Sequence, residues 1–245
     1  MNWKKKNLDM VNPLTLRKAG SPTVFLWGDY REKEDIRIYS RSTDSETQEA
    51  YSALIDCIYK IVASNQAGNE DVELFRKAFF SKTKPVWEKA GEKAVQFSHY
   101  FAPFAVLLDE LAHNRRAAIR LRVIQSLWKE LPPQELAYQI LTAGLNDTNR
   151  KNREFAIDRI INFNLRDFLP VLNTMTGTEA DMDIKKRLQQ AIDLLTQGYY
   201  VDEYDNERVT VIFRHDKGRT GFFIKKDGLT EILIKKEIDT RLSQV

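Results

Sequence analysis

The 245-residue sequence has a single cysteine, three histidines and ten glycines, and each shortage removes a class of chemistry. Cys57 alone permits neither an intramolecular disulfide nor a zinc site built from several cysteines, so a reducing compartment, the cytoplasm, is the expectation. His99, His113 and His215 lie far apart, and none has a second His or Cys at the spacing of a helical metal site. No metal and no cofactor is expected. The glycines never assemble into G-x-G-x-x-G or a P-loop, so the bare-backbone cradles that hold phosphates are missing. Serines occur outside any G-x-S-x-G setting, and Ser21 precedes a proline, which favours a turn over a nucleophile.

An excess of one charge is also lacking. Lys+Arg number 38 against Asp+Glu 35, and no long block carries the positive surplus of a dedicated phosphate-backbone binder. No apolar run approaches the roughly 18 residues of a membrane span. The opening "MNWKKKNLDMVNPLTL" has a basic run, but Asn7, Asp9, Asn12 and Pro13 break any apolar stretch behind it, so neither a signal peptide nor a membrane partner is expected. The acidic groups Asp181 with Asp183, and Asp202 with Glu203 and Asp205, fall at a helix start and in a connector, where carboxylates are solvated rather than catalytic.

What the chain does contain is periodic. Residues 1–43 read as a loop and a β-hairpin, with strands "TVFLW" and "IRIYS" joined by the charged "GDYREKED". Residues 44–198 read as a helical array. It opens with an N-cap near Asp44 ahead of Ala50, Leu54, Ile58, Ile61 and Val62 at helical spacing, and helices near 71–80 and 85–100 come next, Pro85 suiting a first turn. From Tyr100 paired helices with short breaks continue to Gly198, a C-terminal stop. Residues 199–245 read as a β-meander of "RVTVIF", "TGFFIKK" and "TEILIKK" turned by "HDKGR" and "KDG", with "YYVDEYDNE" as connector.

The helical pairs repeat. Asp109 precedes Arg115 by the same offset that separates Asp147 from Arg153 and Asp181 from Arg187, and the copies lie about 34 to 38 residues apart, inside the range of helical-pair repeats. The stretch "LNDTNRKNREFAIDRII" resembles the centre of a HEAT repeat, in which helix A ends near an Asp and helix B begins with Arg; Asn152 stands where that family usually has an apolar residue. The resemblance covers about residues 100–198. It implies a mainly α fold, a HEAT-like α-α superhelix, here with an N-terminal β-hairpin and a C-terminal β-meander.

Arg153 falls on the same helix side as Ala156, Ile157, Ile160 and Ile161, so it starts a buried stripe and needs a carboxylate, for which Asp147 is placed by the returning loop. Both are assigned a structural role. The resemblance implies that B helices line an inner wall used for binding. Their outward positions are Arg115, Arg122 and Lys129 on the first, Phe155, Asp158 and Arg159 on the second, and Lys186 and Gln190 on the third. This mixed ridge suits another protein better than DNA.

The expected function is therefore a non-catalytic interaction module, an adaptor or an inhibitor of the kind that bacterial immunity proteins with HEAT-like repeats represent. The alternative is a nucleic-acid-binding protein or HEAT-like DNA glycosylase using Arg115, Arg116, Arg120 and Arg122 with Arg150 and Lys151. The adjacent Trp-Trp-Asp associated with such glycosylases is absent, and Trp128 is expected in the core beside Ala117, Leu121 and Ile124. Arg153→Ala should cost about 1 kcal/mol or more, because it strands a buried carboxylate. A melting curve identical to wild type would remove the structural role.

Overall fold

A computed structural model describes residues 45–203, 208–215, 218–226 and 231–243. The expected N-terminal hairpin lies outside them. The described chain is mostly helical, with ten helices and one three-stranded sheet among these residues. It divides into two compact units, Met1–Asn152 and Arg153–Val245.

The first unit holds α1 (Ser45–Ser64), α2 (Asn69–Phe79), α3 (Lys84–Phe97), α4 (Ala102–Ala112), α5 (Ala117–Ser126) and α6 (Gln134–Leu145). Local chemistry sets the ends. Asn65, at φ 54°, turns the chain out of α1, while proline occupies the first turn of α3 and of α4, where its missing N–H has no intrahelical partner to lose. Each helix then packs on the next and on the next but one, from α1 through to α6. Helices α1, α3 and α5 thus form one layer and α2, α4 and α6 the other, a helical-repeat-like stack in which every hairpin covers its neighbour. The stack begins well before Tyr100.

Its core is built on three phenylalanines. Phe75, Phe97 and Phe104 come from α2, α3 and α4, all fully buried, with ring centroids 4.8 to 5.8 Å apart. Burial of each contributes about 1.5–3 kcal/mol, and the tilted, edge-on geometry adds to it.

The second unit contains most of α7 (Arg150–Asn162), then α8 (Leu169–Thr178), α9 (Met182–Gln197), β1 (Tyr199–Glu203), β2 (Arg208–His215), β3 (Gly218–Lys225) and α10 (Glu231–Leu242). Ala156, Ile157, Ile160 and Ile161 are buried along α7, as the spacing predicts. Asp181 caps α9 by accepting from the backbone N–H of Asp183 and Ile184, and Gly198, at φ 87°, ends it.

The sheet runs antiparallel in the order β1-β2-β3. Tyr199 pairs with Phe213, Val201 with Val211, Val209 with Ile224 and Val211 with Phe222. The meander therefore exists with different strands from those expected. "YYVDE" is not a connector but β1, and "EILIKK", from Glu231, is not a strand but the start of α10. The reason is the longer period: Ile234, Ile238 and Leu242 recur every four residues and pack against Tyr199, Val209, Val211, Phe213 and Ile224, closing one face of the sheet. A seven-residue window hides that period.

At Gly91 helices α3 and α5 approach closely. A Cβ there would lie 1.8 Å from Ser126 Oγ and 2.8 Å from Ser126 Cβ, so α3 meets α5 only because this position is bare. Gly91→Ala should destabilise the chain by about 1–3 kcal/mol, the usual range for overpacking, and Ser126→Gly should restore part of it. Thermal melts of the single and double variants check this; an unchanged Gly91→Ala melt would contradict the close approach.

Candidate interaction surface

A cluster of polar side chains fills the turn between α6 and α7. Asp147 lies in that turn, 8 % exposed. Its Oδ2 accepts from Arg120 Nε at 2.6 Å and Asn152 Nδ2 at 2.7 Å, and its Oδ1 accepts from Arg120 Nη2 at 2.7 Å and the Asn149 backbone N–H at 2.8 Å. Four donors fill the carboxylate. Arg120 also donates from Nη1 to the Asn114 carbonyl, and Asn152, fully buried, donates to the Ala117 carbonyl, so the turn after α6 is bolted to both ends of the turn before α5. Arg153 finds Glu179, with Nε 3.1 Å from Oε2 and both side chains largely buried.

The three Asp–Arg offsets of the sequence are not three copies of one contact. Asp109 pairs with His113 at 3.4 Å and Arg115 is exposed. Asp181 is a helix cap, and Arg187 turns to Asp158.

Burial by itself pushes the Asp147 carboxyl up, but Arg120, the Asn149 N–H and Asn152 together hold it below the ordinary range. Asp71, at the bend between α1 and α2, obeys the same logic: burial raises it, while Lys60 at 2.8 Å, the Gly68 N–H and Cys57 outweigh that and hold it down. Burial, with the Asp71 charge added, pushes the Cys57 thiol up to about 12, so at neutral pH it is a protonated, non-nucleophilic group.

The expected binding residues separate into two sets. In the first unit Arg122 is half-buried; it donates to the Phe79 carbonyl and stacks 5.2 Å from the Trp87 ring. Burial lowers its pKa. Lys129 is tied to Glu92 at 2.5 Å. Burial pushes the Glu92 carboxyl up, but the Lys129 and neighbouring lysine charges leave it below the ordinary range. Trp128 is 46 % exposed under the Lys129 ammonium, not in the core as expected, because α5 ends at Ser126 and the helical wheel no longer applies beyond it.

In the second unit Asp158 and Lys186 meet charged residues that sequence spacing missed. Asp158 on α7 faces Arg187 of α9 at 3.9 Å and Arg219 of β3 at 3.4 Å, and Lys186 reaches Asp202 of β1 at 2.7 Å. Tyr200 lies among these charges: burial raises its phenol pKa, Asp202 and Asp158 add to the rise, and Arg219 and Arg187 oppose it. Arg159 stacks 5.9 Å from Phe155, one turn along the same helix; burial lowers its pKa, with Asp158 opposing and Arg219 assisting. Both aromatic rings are half-buried, and Gln190 is half-buried on α9. Arg219 was invisible to the repeat pattern because it comes from the sheet. Tyr200 and Asp202 could have been found only by recognising β1, whose alternation places both on the side opposite Tyr199.

Among the described residues no helix is long and apolar enough to cross a membrane, and no cluster of three His, Cys, Asp or Glu side chains could hold a metal ion. No protein-family model, no curated protein and no solved structure matches the chain.

The Asp147 joint fixes a pH dependence. A carboxyl whose folded pKa lies below its unfolded value contributes stability that is complete above the unfolded value of about 3.9 and is lost as the pH falls through the folded one. Asp147→Asn should cost about 2 kcal/mol or more at neutral pH, since it leaves the Arg120 charge uncompensated, and should flatten the loss of stability below about pH 4. Melts from pH 7 downward test both; a variant as stable as wild type at pH 7 would disprove the joint.

Proposed function

We propose that this chain is a non-catalytic protein-interaction module of HEAT-like helical hairpins, an adaptor or inhibitor resembling in fold the HEAT-like bacterial immunity proteins, and that it binds another protein. The observation that carries this reading is where its cations go. Arg120 and Arg122, two of the six cations of the nucleic-acid alternative, are engaged by Asp147, by backbone carbonyls and by Trp87. A guanidinium committed to the fold cannot also release counterions from a phosphate backbone. What remains outward is a mixture of both charge signs with half-buried aromatics, the composition of a protein-binding surface.

The reading places binding on α7 and α9, where Phe155, Asp158, Arg159, Lys186 and Gln190 stand. Arg115, Arg122 and Lys129 then have a subordinate part, and Arg122→Glu acts on stability, because it would bury a carboxylate against a carbonyl oxygen.

Two measurements test the proposal. Duplex DNA and heparin should show no binding at about 50 mM salt; binding that is present there and collapses by about 200 mM would favour nucleic acid. Phe155→Asp should abolish capture of the protein partner while leaving the circular dichroism spectrum unchanged. Retained capture would remove α7 from the interface.

A further inference from the structure

Two guanidiniums in the second unit are underused. Arg187 and Arg219 converge from α9 and β3 on one carboxylate, Asp158, at 3.9 and 3.4 Å. Among the described residues neither makes another ion pair or a side-chain hydrogen bond to protein. The fold elsewhere shows what a satisfied arginine looks like, since Arg120 grips Asp147 through Nε and Nη2 at 2.6 and 2.7 Å. Charge-assisted pairs at full strength close to about 2.7–2.9 Å. Each guanidinium offers five N–H donors, and one monodentate carboxylate between them uses few. Arg159 adds a third positive charge close enough for Arg219 to depress it. Two guanidiniums thus share one carboxylate, while Asp202 close by is held by Lys186.

We propose that Arg187 and Arg219, with Asp158 as a placeholder between them, form a receiving site for a carboxylate-rich segment of the partner protein. This rests on the protein-interaction reading above and names the chemistry of what is bound. Incoming Asp or Glu side chains take the bidentate positions on the two guanidiniums, while Tyr200 and the Phe155 ring border the contact. A phosphodiester strand fits less well. Asp158 and Asp202 interrupt the positive ground, and a backbone bearing a charge about every 3.4 Å would meet them.

The test uses the full chain and a fluorescein-labelled poly-glutamate peptide, read by fluorescence anisotropy at low salt. Wild type should bind, with affinity falling as salt rises. Arg187→Gln/Arg219→Gln should weaken binding about tenfold or more, and the exposed pair Lys77→Gln/Lys82→Gln, with the same change in net charge, should do so far less. Asp158→Asn should tighten binding several-fold, because it frees both guanidiniums; if Asp158 only braced the fold, its loss would weaken binding or leave it unchanged. Equal losses in the two double variants, weaker binding by Asp158→Asn, or duplex DNA competing as well as free poly-glutamate would each overturn the site. If the Arg187→Gln/Arg219→Gln chain still captured the protein partner that Phe155→Asp loses, the interaction reading would stand and the acid-recognition site would fall.

Discussion

The first unit depends on a carboxylate with no vacancy. Asp147 accepts four hydrogen bonds from three residues, and those residues belong to the α6–α7 turn, to α5 and to the first turn of α7. A buried anion is costly unless its lone pairs are filled, and here filling them requires Arg120 and Asn152 to reach across from separate segments. The charge therefore acts as a register. Only one sliding position of α5 against the α6–α7 turn satisfies it, which is what a stack of similar hairpins needs, because apolar ridges alone would tolerate several. Asn152, the departure from the HEAT pattern, gains a reason in this setting. An apolar side chain there would pack as well but would leave Asp147 one donor short and the Ala117 carbonyl without its Asn152 contact.

Ties of the same kind recur through the stack and define how tightly it closes. Asp71 joins α1 to the start of α2 through Lys60 and Cys57, and Glu92 joins α3 to the end of α5 through Lys129. Gly91 and Ser126 then let α3 and α5 approach until side chain meets backbone. The electrostatic ties set which residues face each other; the missing Cβ sets the distance. Lys89 and Lys93 also lie buried on α3.

Helices were legible in the sequence wherever apolar spacing ran for three turns between clear stops, as in α3 from Pro85 and α9 from Asp181 to Gly198. Partnerships were less so. A loop of known length can place Asp147 near Arg153, yet whether a carboxylate also meets an arginine from another hairpin is decided by packing, and Arg120 was hidden among three other arginines of its segment. The C-terminal misreading has a different cause. "ILIKK" satisfies a strand window and a helix window equally, and only the recurrence at Ile238 and Leu242 separates them. Trp128 shows the converse, a residue placed by extending a helix past its true end.

The arginines of the two units stand in contrasting environments. Arg120 is held by Asp147, and Arg122 by the Phe79 carbonyl and the Trp87 ring, so their donors are committed to the fold. Arg187 and Arg219 share one carboxylate at 3.9 and 3.4 Å on a surface that also carries Tyr200, Asp202 and Lys186. The same chain saturates Asp147 completely. The looser pairing of Arg187 and Arg219 with Asp158 is the physical ground on which the proposed acidic contact rests.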